Sequence, residues 1–414
     1  MSMPSINLVV VGHKDHGKST LIGRLLYDSK AIMEQKLDEI QTELKRSGKE
    51  FEFAFLLDSL EEERKGGLTI DIMHTPFKSK KYRYTIIDCP GHKEFIEKML
   101  TGASEADAAV LVVSAKEGIQ DQTRQHAFLI KTLGVKQLVV AVNKLDSVDY
   151  QEENYRQTCE ELKPILRSLG YQNVDMIPIS AMEGDNVFKK SEKMPWYKGP
   201  TLIETLDEKV IPTTLPLNKP LRGVVQDIYP YENDQMIVAC KIETGTLTPQ
   251  KDVVFSPSGK TAQLKKIMVF GSEATKAEPG DSVGLILDDA TGIERGEVLS
   301  YPQNQPQKVR SFVAEVILFS GLQIKTGDVL TIRCGTAEKK CKVTRLLTEI
   351  DPVNLDVSSK NPELLDNETV GEIEFSVLEP VSIEKYSDFP ELGRFVIEGK
   401  KGTVAAGIVL DVNS

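Results

Sequence analysis

The sequence predicts an α/β domain built on a doubly wound, mostly parallel sheet, followed by two all-β domains. Over the first half of the chain, continuous apolar runs alternate with helical patterns, as in parallel sheets whose two faces are covered by helices. Beyond Leu221, short apolar runs are separated by turns without helical patterns, which favours a barrel or a sandwich. A length of 414 residues allows about three domains of ~150 residues.

Apolar runs and helical spacing give the elements of the first domain. The two runs around Lys78-Ser79-Lys80-Lys81 read as a hairpin, and helical spacing from Met33 to Leu44 indicates an amphipathic helix. The strands are predicted at Ile6–Val11, Ile72–Phe77, Tyr82–Ile87, Ala108–Val113, Leu138–Val142 and Met176–Ile179, and the other helices at Gln122–Leu133, Glu152–Leu169 and Pro200–Val210.

The domain boundaries follow from breaks in these patterns. The stretch Ile211–Pro220 carries three prolines and reads as a linker, and Tyr301–Pro306 interrupts the β pattern of the second half. We predict a first domain at residues 1–212, a linker at 213–220, a second domain at 221–301 and a third at 302–414. The third domain would use the runs Ser311–Leu318, Val329–Cys334, Cys341–Leu346, Val370–Val377 and Thr403–Val412.

Composition excludes several classes of protein. Hydrophobic and charged contents of 40% and 27% are ordinary for a globular chain. The five cysteines are scattered, so neither a disulfide framework nor a zinc site is indicated. No apolar run of about 18 residues and no signal-peptide pattern occurs, so we expect a cytoplasmic protein without a membrane partner. The net charge of −11 disfavours broad wrapping of nucleic acid but leaves room for a local basic face.

The first motif joins the first strand to a helix. The stretch from Gly12 to Ser19 fits G-x-x-x-x-G-K-S, where the glycines let backbone N–H groups close on phosphate oxygens at a helix N-terminus. Lys18 would reach the β- and γ-phosphates, and Ser19 would offer a hydroxyl to Mg²⁺. A glycine turn between a core strand and a core helix is the alternative. The predicted phosphate-binding residues are Gly12, His13, Lys14, Asp15, His16, Gly17, Lys18, Ser19 and Thr20, with His13 and His16 shaping the loop.

A second pair of motifs concerns the base of the nucleotide. Asn143-Lys144-Leu145-Asp146 follows an apolar strand, and the carboxylate of Asp146 can accept hydrogen bonds from the N1–H and N2–H₂ edge of guanine. Asn143 would hold the loop or the opposite edge of the base, and the stem of Lys144 would pack on the ring. The backbone of Ser180-Ala181-Met182 would contact O6. Alone, such a turn is common at protein surfaces; its place after a buried strand favours guanine.

The fourth motif, which lies in the chain between the phosphate loop and the two base motifs, would sense the γ-phosphate. Asp88 would position Mg²⁺ through water, the N–H of Gly91 would reach the γ-phosphate, and Thr69 would supply a second hydroxyl to the metal. Because the γ-phosphate contacts vanish on hydrolysis, the loops that carry Thr69 and Gly91 should reorder with nucleotide state. His92 would orient the attacking water, unless it is a structural histidine at a helix start.

These motifs predict a switch that binds GTP or GDP with Mg²⁺ and hydrolyses GTP. The residues predicted for hydrolysis are Lys18, Thr69, Gly91 and His92, and those predicted to serve the metal are Ser19, Thr69 and Asp88.

The four motifs, in this order and followed by two β units, resemble the translational GTPase superfamily over essentially the whole chain. The resemblance implies a P-loop GTPase domain followed by two all-β barrel domains, with Lys18, Ser19, Thr69, Gly91 and His92 serving nucleotide and metal. Within the superfamily, the chain is similar to elongation factor 1-alpha and to the GTP-binding large subunit of sulfate adenylyltransferase. Both groups carry a segment similar to Met194–Leu202.

Short segments divide between these two branches. The segments that look more like the elongation factor are Gly12–His16, Leu392–Phe395 and Thr403–Gly407. The segments that look more like the sulfate-activating subunit are Leu21–Asp28, Asp121–Arg124, Glu183–Val187, Ser256–Lys260 and Ile293–Val298.

Three departures from the elongation-factor pattern weigh against that branch or affect its switch. Ser282 stands where elongation factors typically carry an asparagine near the aminoacyl end of tRNA, and Cys334–Glu338 lacks the histidines of their corresponding segment. Gly66 replaces the arginine usual before the switch glycine, which affects the expected mobility and hydrolysis rate of that loop.

The function expected from these likenesses is a GTPase subunit that couples GTP hydrolysis to a partner sulfate adenylyltransferase. The alternative is an elongation factor 1-alpha-like translation factor that delivers aminoacyl-tRNA to the ribosome or acts on it. A paralogue with another partner is a third option.

Overall fold

The computed structural model describes residues 3–32, 37–38, 42, 53, 56, 73–88, 106–132, 134–231, 235–318, 322–351, 356–366, 369–399 and 402–413. The described chain divides into two compact units, the first ending at Thr213 and the second beginning at Thr214. The predicted helix from Met33 to Leu44 falls almost wholly outside these residues. No described helix is long and apolar enough to span a membrane.

The first unit is an α/β layer structure. Its strands are β1 Ser5–Gly12, β2 Met73–Lys78, β3 Arg83–Asp88, β4 Ala108–Ser114, β5 Gln137–Asn143 and β6 Asp175–Pro178. Its helices are α1 Lys18–Asp28, α2 Asp121–Thr132, α3 Glu152–Ser168 and α4 Leu202–Lys209, with a 3₁₀ turn at Leu145–Val148.

The six strands form one sheet in the order β2-β3-β1-β4-β5-β6. β1 pairs in parallel with β3 and β4, and the parallel pairing continues through β5 to β6, whereas β2 and β3 form the predicted antiparallel hairpin. All seven residues of β4 are buried, because helices cover both faces of a parallel sheet. The connections from β1 and β4 leave in opposite directions, so the carboxyl ends of these strands form the crevice in which such sheets bind ligands.

Helix α1 packs on this sheet through one face. Leu21, Ile22, Leu25 and Leu26 are fully buried, at the one-turn spacing of an amphipathic helix. They join Ile6 and other strand residues in one hydrophobic cluster. The start of α1 is thereby fixed next to the end of β1.

The second unit begins with a closed antiparallel barrel. Its strands are β7 Arg222–Pro230, β8 Met236–Thr244, β9 Asp252–Ser256, β10 Lys260–Val269, β11 Ser272–Ala274, β12 Ser282–Leu287 and β13 Val298–Ser300. Strand β10 pairs with both β9 and β12, which closes a ring of six strands, and β11 is attached to β10 at its edge. Val238, Cys240 and Ile242 of β8 point into the barrel, following the two-residue period of a strand.

A second antiparallel barrel completes this unit. Its strands are β14 Val309–Leu318, β15 Ile324–Lys325, β16 Val329–Cys334, β17 Ala337–Ile350, β18 Val357–Lys360, β19 Leu364–Leu365, β20 Val370–Val381, β21 Arg394–Gly399 and β22 Gly402–Asn413. The pairing of β16 with both β17 and β21 closes another six-stranded ring, with β18 at its edge. Strands β15 and β19 form a small separate pair. The predicted fold class, an α/β domain followed by two all-β barrels, is confirmed.

A buried ion pair joins the two barrels. The guanidinium of Arg222 donates to both carboxylate oxygens of Glu384, at 2.7 and 2.9 Å, and to the carbonyl oxygen of Asn304. The ring of Phe389 lies 4.7 Å from the same guanidinium. Arg222 is 4% exposed, so its buried charge is compensated by these partners, and removing either member of the pair would leave the other charge buried and unpaired. The predicted domain boundaries stay a prediction.

Candidate nucleotide site

The phosphate loop lies between Gly12, where β1 ends, and Lys18, where α1 begins. Gly17 precedes the helix with a φ of 90°, in the left-handed region that favours glycine. The first N–H groups of α1 have no partner within the helix, and they carry the positive end of its dipole. The loop therefore presents donors to an anion at the carboxyl end of the sheet.

The side chain of Lys18 is held by the backbone of the phosphate loop. Its Nζ donates to the carbonyl oxygens of Gly12 and His13, at 2.8 and 2.9 Å. Ser19 follows on the first turn of α1 and is exposed. Lys14 and Asp15 are also exposed, and the N–H of Lys14 donates to Gln122 Oε1 at 3.2 Å.

His16 fills the space beneath the loop. Its side chain is fully buried, with Nδ1 lying 3.4 Å from the carbonyl oxygen of Val112 and Nε2 lying 3.6 Å from Glu117 Oε2. Burial lowers the pKa of His16 to about 4, although the nearby Glu117 acts in the opposite direction. The ring is thus neutral near pH 7, which agrees with a role in shaping the loop.

Asn143 ties the base loop, defined here as the two segments 143–149 and 180–182, to the phosphate loop. It ends β5 and is 2% exposed. Its Nδ2 donates to the carbonyl oxygen of His16, and its Oδ1 accepts from the N–H of Ala181, both at 2.9 Å. One amide therefore fixes both loops relative to each other.

Lys144 and Asp146 complete this side of the site. Lys144 adopts a φ of 64°, and its Nζ donates to Glu117 Oε1 at 2.9 Å. This hydrogen bond contributes most to lowering the pKa of Glu117, whose N–H donates to Ser114 Oγ. Asp146 is half-buried, and its Oδ2 accepts from Ser147 Oγ at 3.3 Å.

These elements enclose a cavity of about 440 Å³. Its volume suits a nucleoside-sized ligand. The predicted residues that the structure brings together in its lining are Gly17, Thr20, Asn143, Lys144, Asp146, Ala181 and Met182. Lys116, Glu117 and Ser147 also line it and were missed by the sequence reasoning. The sequence held one signal for Glu117, which is its position three residues after the apolar strand β4 of the same sheet.

The remaining predicted residues are partly outside the described chain. Thr69, Gly91 and His92 lie beyond the residues that the structure describes, as does Gly66. Asp88 ends β3 at the same sheet edge as Gly12, but its side chain is not among those described. Ser180 is fully buried, and its hydroxyl accepts from the N–H of Glu183, so it shapes the loop.

Two family models and several full-length relatives match this chain. Residues 3–212 match the family model of the elongation factor Tu GTP binding domain, and residues 311–410 match the model described as GTP-eEF1A C-terminal domain-like. Elongation factor 1-alpha of Methanocaldococcus jannaschii is 42% identical over 99% of this chain and 98% of its own length. Elongation factor 1-alpha of Saccharolobus solfataricus is 41% identical over 99% of this chain and 97% of its own length. A crystal structure of sup35 complexed with GDP aligns over 100% of this chain and 95% of its own, at 27% identity and a TM-score of 0.46.

The expectation of a sulfate adenylyltransferase subunit is wrong. Relatives that are 38 to 42% identical over nearly the whole chain are elongation factors 1-alpha. Three of the segments that suggested the other branch make structural contacts within their own units. Glu297 accepts from the N–H groups of Ser258 and Glu294 and so joins two of them, and the Asp185 carboxylate accepts from Tyr150. Likeness in such packing segments carries no information about a partner.

The cavity and the two loops around it suit a nucleotide, which agrees with the GTP-binding domain that the family model and the full-length relatives indicate. The chain belongs to the translational GTPase superfamily, carries its GTP-binding domain, and is similar within it to elongation factor 1-alpha.

Proposed function

We propose that the chain is a GTP-hydrolysing translation factor of the cytoplasm that delivers aminoacyl-tRNA to the ribosome. The observation that carries the proposal is the 42% identity to an elongation factor 1-alpha over 99% of the chain. Likeness over the whole length includes both barrels, where a macromolecular partner would bind, as well as the nucleotide domain.

The base of the nucleotide would lie in the cavity against Asp146. Its carboxylate would accept from guanine N1–H and N2–H₂, and the stem of Lys144, fixed by Glu117, would cover one face of the ring. The Met182 N–H has no partner among the described residues and so suits the O6 acceptor. Adenine presents neither pattern, so the pocket would select guanine.

The phosphates would lie on the loop from Gly12 to Thr20, with Lys18 directed at the β- and γ-phosphates. The described residues contain no cluster of three His, Cys, Asp or Glu side chains that could hold a metal. Nucleotide-linked Mg²⁺ does not need one, since it takes one or two protein oxygens plus phosphates and water, and the exposed Ser19 hydroxyl fits that requirement. Mg²⁺ would neutralise developing phosphate charge.

The remaining assignments are proposals from the sequence motifs. Asp88 and Thr69 would complete the metal site, Gly91 would contact the γ-phosphate, and His92 would orient the attacking water. The two barrels would form the surface for tRNA, with the domains divided at 1–212, 221–301 and 302–414.

The test is protection of the aminoacyl ester. Aminoacyl-tRNA is incubated with the purified protein and GTP or GDP, and the rate of spontaneous deacylation is measured. We expect slower deacylation with GTP and little change with GDP. Equal rates with GTP, with GDP and without protein, at micromolar protein that binds GTP, would refute delivery of aminoacyl-tRNA.

A further inference from the structure

Arg24, on α1, lies behind the base loop and away from the nucleotide cavity. Its Nε donates to the carbonyl oxygen of Ala181 at 3.0 Å, and its Nη2 donates to that of Met182. The side chain is 12% exposed, and Asp28 lies one turn further along the helix, 3.6 Å from Nη1. A planar guanidinium fits two neighbouring carbonyls with two fixed donors, which a lysine ammonium does not.

These two carbonyls belong to the loop that would read O6 of the base. Asn143 holds the same loop from the other side through the N–H of Ala181. With its carbonyls directed at Arg24, the peptide planes of the loop are fixed, and the direction of the Met182 N–H is fixed with them. A shift of this N–H weakens its hydrogen bond to the base, because such bonds depend on alignment.

Phe53 covers one face of the Arg24 guanidinium. The centre of the Phe53 ring lies 3.8 Å from Arg24 Cζ, and the ring also meets Tyr27 edge-on at 5.4 Å. Gly23 permits this approach, since a Cβ at Gly23 would lie 1.9 Å from the carbonyl oxygen of Phe53. The backbone at Phe53 is thus in direct contact with the helix that carries Arg24.

We infer that Arg24 is a positioning residue that sets the O6-reading geometry of the Ala181-Met182 backbone and links it to the chain at Phe53. The inference rests on the proposed guanine-nucleotide site. It gives the Leu21–Asp28 segment a task within the site, through an arginine that need not touch the nucleotide.

The test uses two analogues of GDP that differ from it at one edge each. 6-Thio-GDP replaces O6 by the weaker acceptor sulfur, and XDP changes the edge that faces Asp146. In Arg24→Lys and Arg24→Ala we expect the preference for GDP over 6-thio-GDP to fall by about three- to tenfold, the loss of roughly one hydrogen bond. The preference for GDP over XDP should stay within about twofold in both variants, because Asp146 is untouched.

Gly23→Ala tests the link to Phe53. Alanine favours the helix more than glycine does, so α1 itself is not weakened, while the added Cβ displaces the backbone at Phe53. We expect the same ratio to fall, by less than in Arg24→Ala. Arg156→Ala, at a 66% exposed arginine on α3, is the matched control and should leave every ratio unchanged.

The outcomes separate the two proposals. A wild-type chain that does not bind GDP refutes the proposed function. A wild type that binds GDP but does not distinguish it from 6-thio-GDP, or Arg24 variants that lose affinity for all three nucleotides equally, overturn the inference alone. If Arg24→Ala does not fold, Arg24→Lys decides.

Discussion

The base loop and the phosphate loop are built in different ways. Side chains hold the base loop: Asn143 accepts from Ala181, and Glu117 fixes Lys144. Backbone conformation makes the phosphate loop, through Gly17 at a φ of 90° and the carbonyl oxygens that hold Lys18. Base selectivity should therefore be exchangeable by a side-chain substitution, whereas phosphate affinity should be lost whenever the backbone is changed.

The largest effect is expected at Asp146. Asp146→Asn exchanges two acceptors for an amide that can donate to the 2-oxo group of xanthine, and hydrogen bonds to a charged group contribute about 1.5–3 kcal/mol each. We expect the preference to shift from GDP toward XDP by about a thousandfold. Competition against a fluorescent guanine nucleotide measures this shift. Asp149→Asn, in the same loop and exposed, is the control; an unaltered preference in Asp146→Asn would remove this carboxylate from the base pocket.

Gly17→Ala should lower affinity and leave the preference for GDP over XDP in place. An alanine at this φ costs about 1–2 kcal/mol. The new Cβ would also lie 2.4 Å from Asn143 Nδ2. We expect about a hundredfold weaker binding of GDP and XDP alike, measured by the same competition. Gly170→Ala imposes the same strain at a φ of 83° beyond α3 and should leave binding intact. Equal loss in both variants would mean that Gly17 affects folding only.

Asn143→Ala should affect the base loop and the phosphate loop together, because the Asn143 amide bonds to both. Removing it deprives the His16 carbonyl and the Ala181 N–H of their partner. We expect GDP affinity to fall by about tenfold. The preference for GDP over 6-thio-GDP should fall with it. A variant that lost affinity but kept the full O6 preference would show that the loops are independent.

His16 should affect stability and its pH dependence, and not nucleotide selectivity. The pKa of its buried ring is lowered from 6.5 to about 4, so the unfolded chain binds a proton there before the folded chain does. The wild type should lose stability relative to His16→Gln as the pH falls from 6.5 to about 4, by at most about 3 kcal/mol. Urea unfolding of both proteins at pH 7 and pH 4.5 measures it. Parallel losses would show that His16 does not titrate as proposed.

The sheet of the first unit could be predicted because its central strands β1, β4 and β5 are almost entirely apolar runs. The order of the strands then brings the motif residues to one edge. Strand Arg394–Gly399 was not predicted, since its short run is bounded by charged residues and gains its place by pairing with β16 and β22. Glu117 and Arg24 were not predicted as site elements because their partners are distant in sequence. The partner branch was misjudged because likeness in a few short segments carries less information than identity over nearly the whole chain.

In the proposed function, guanine recognition controls a translation switch. The most direct measurement is protection of aminoacyl-tRNA from deacylation by the wild type and by Asp146→Asn, each with GTP and with XTP. We expect protection by the wild type with GTP only and by Asp146→Asn with XTP only. Protection that does not depend on the nucleotide, or that stays with GTP in Asp146→Asn, would contradict it.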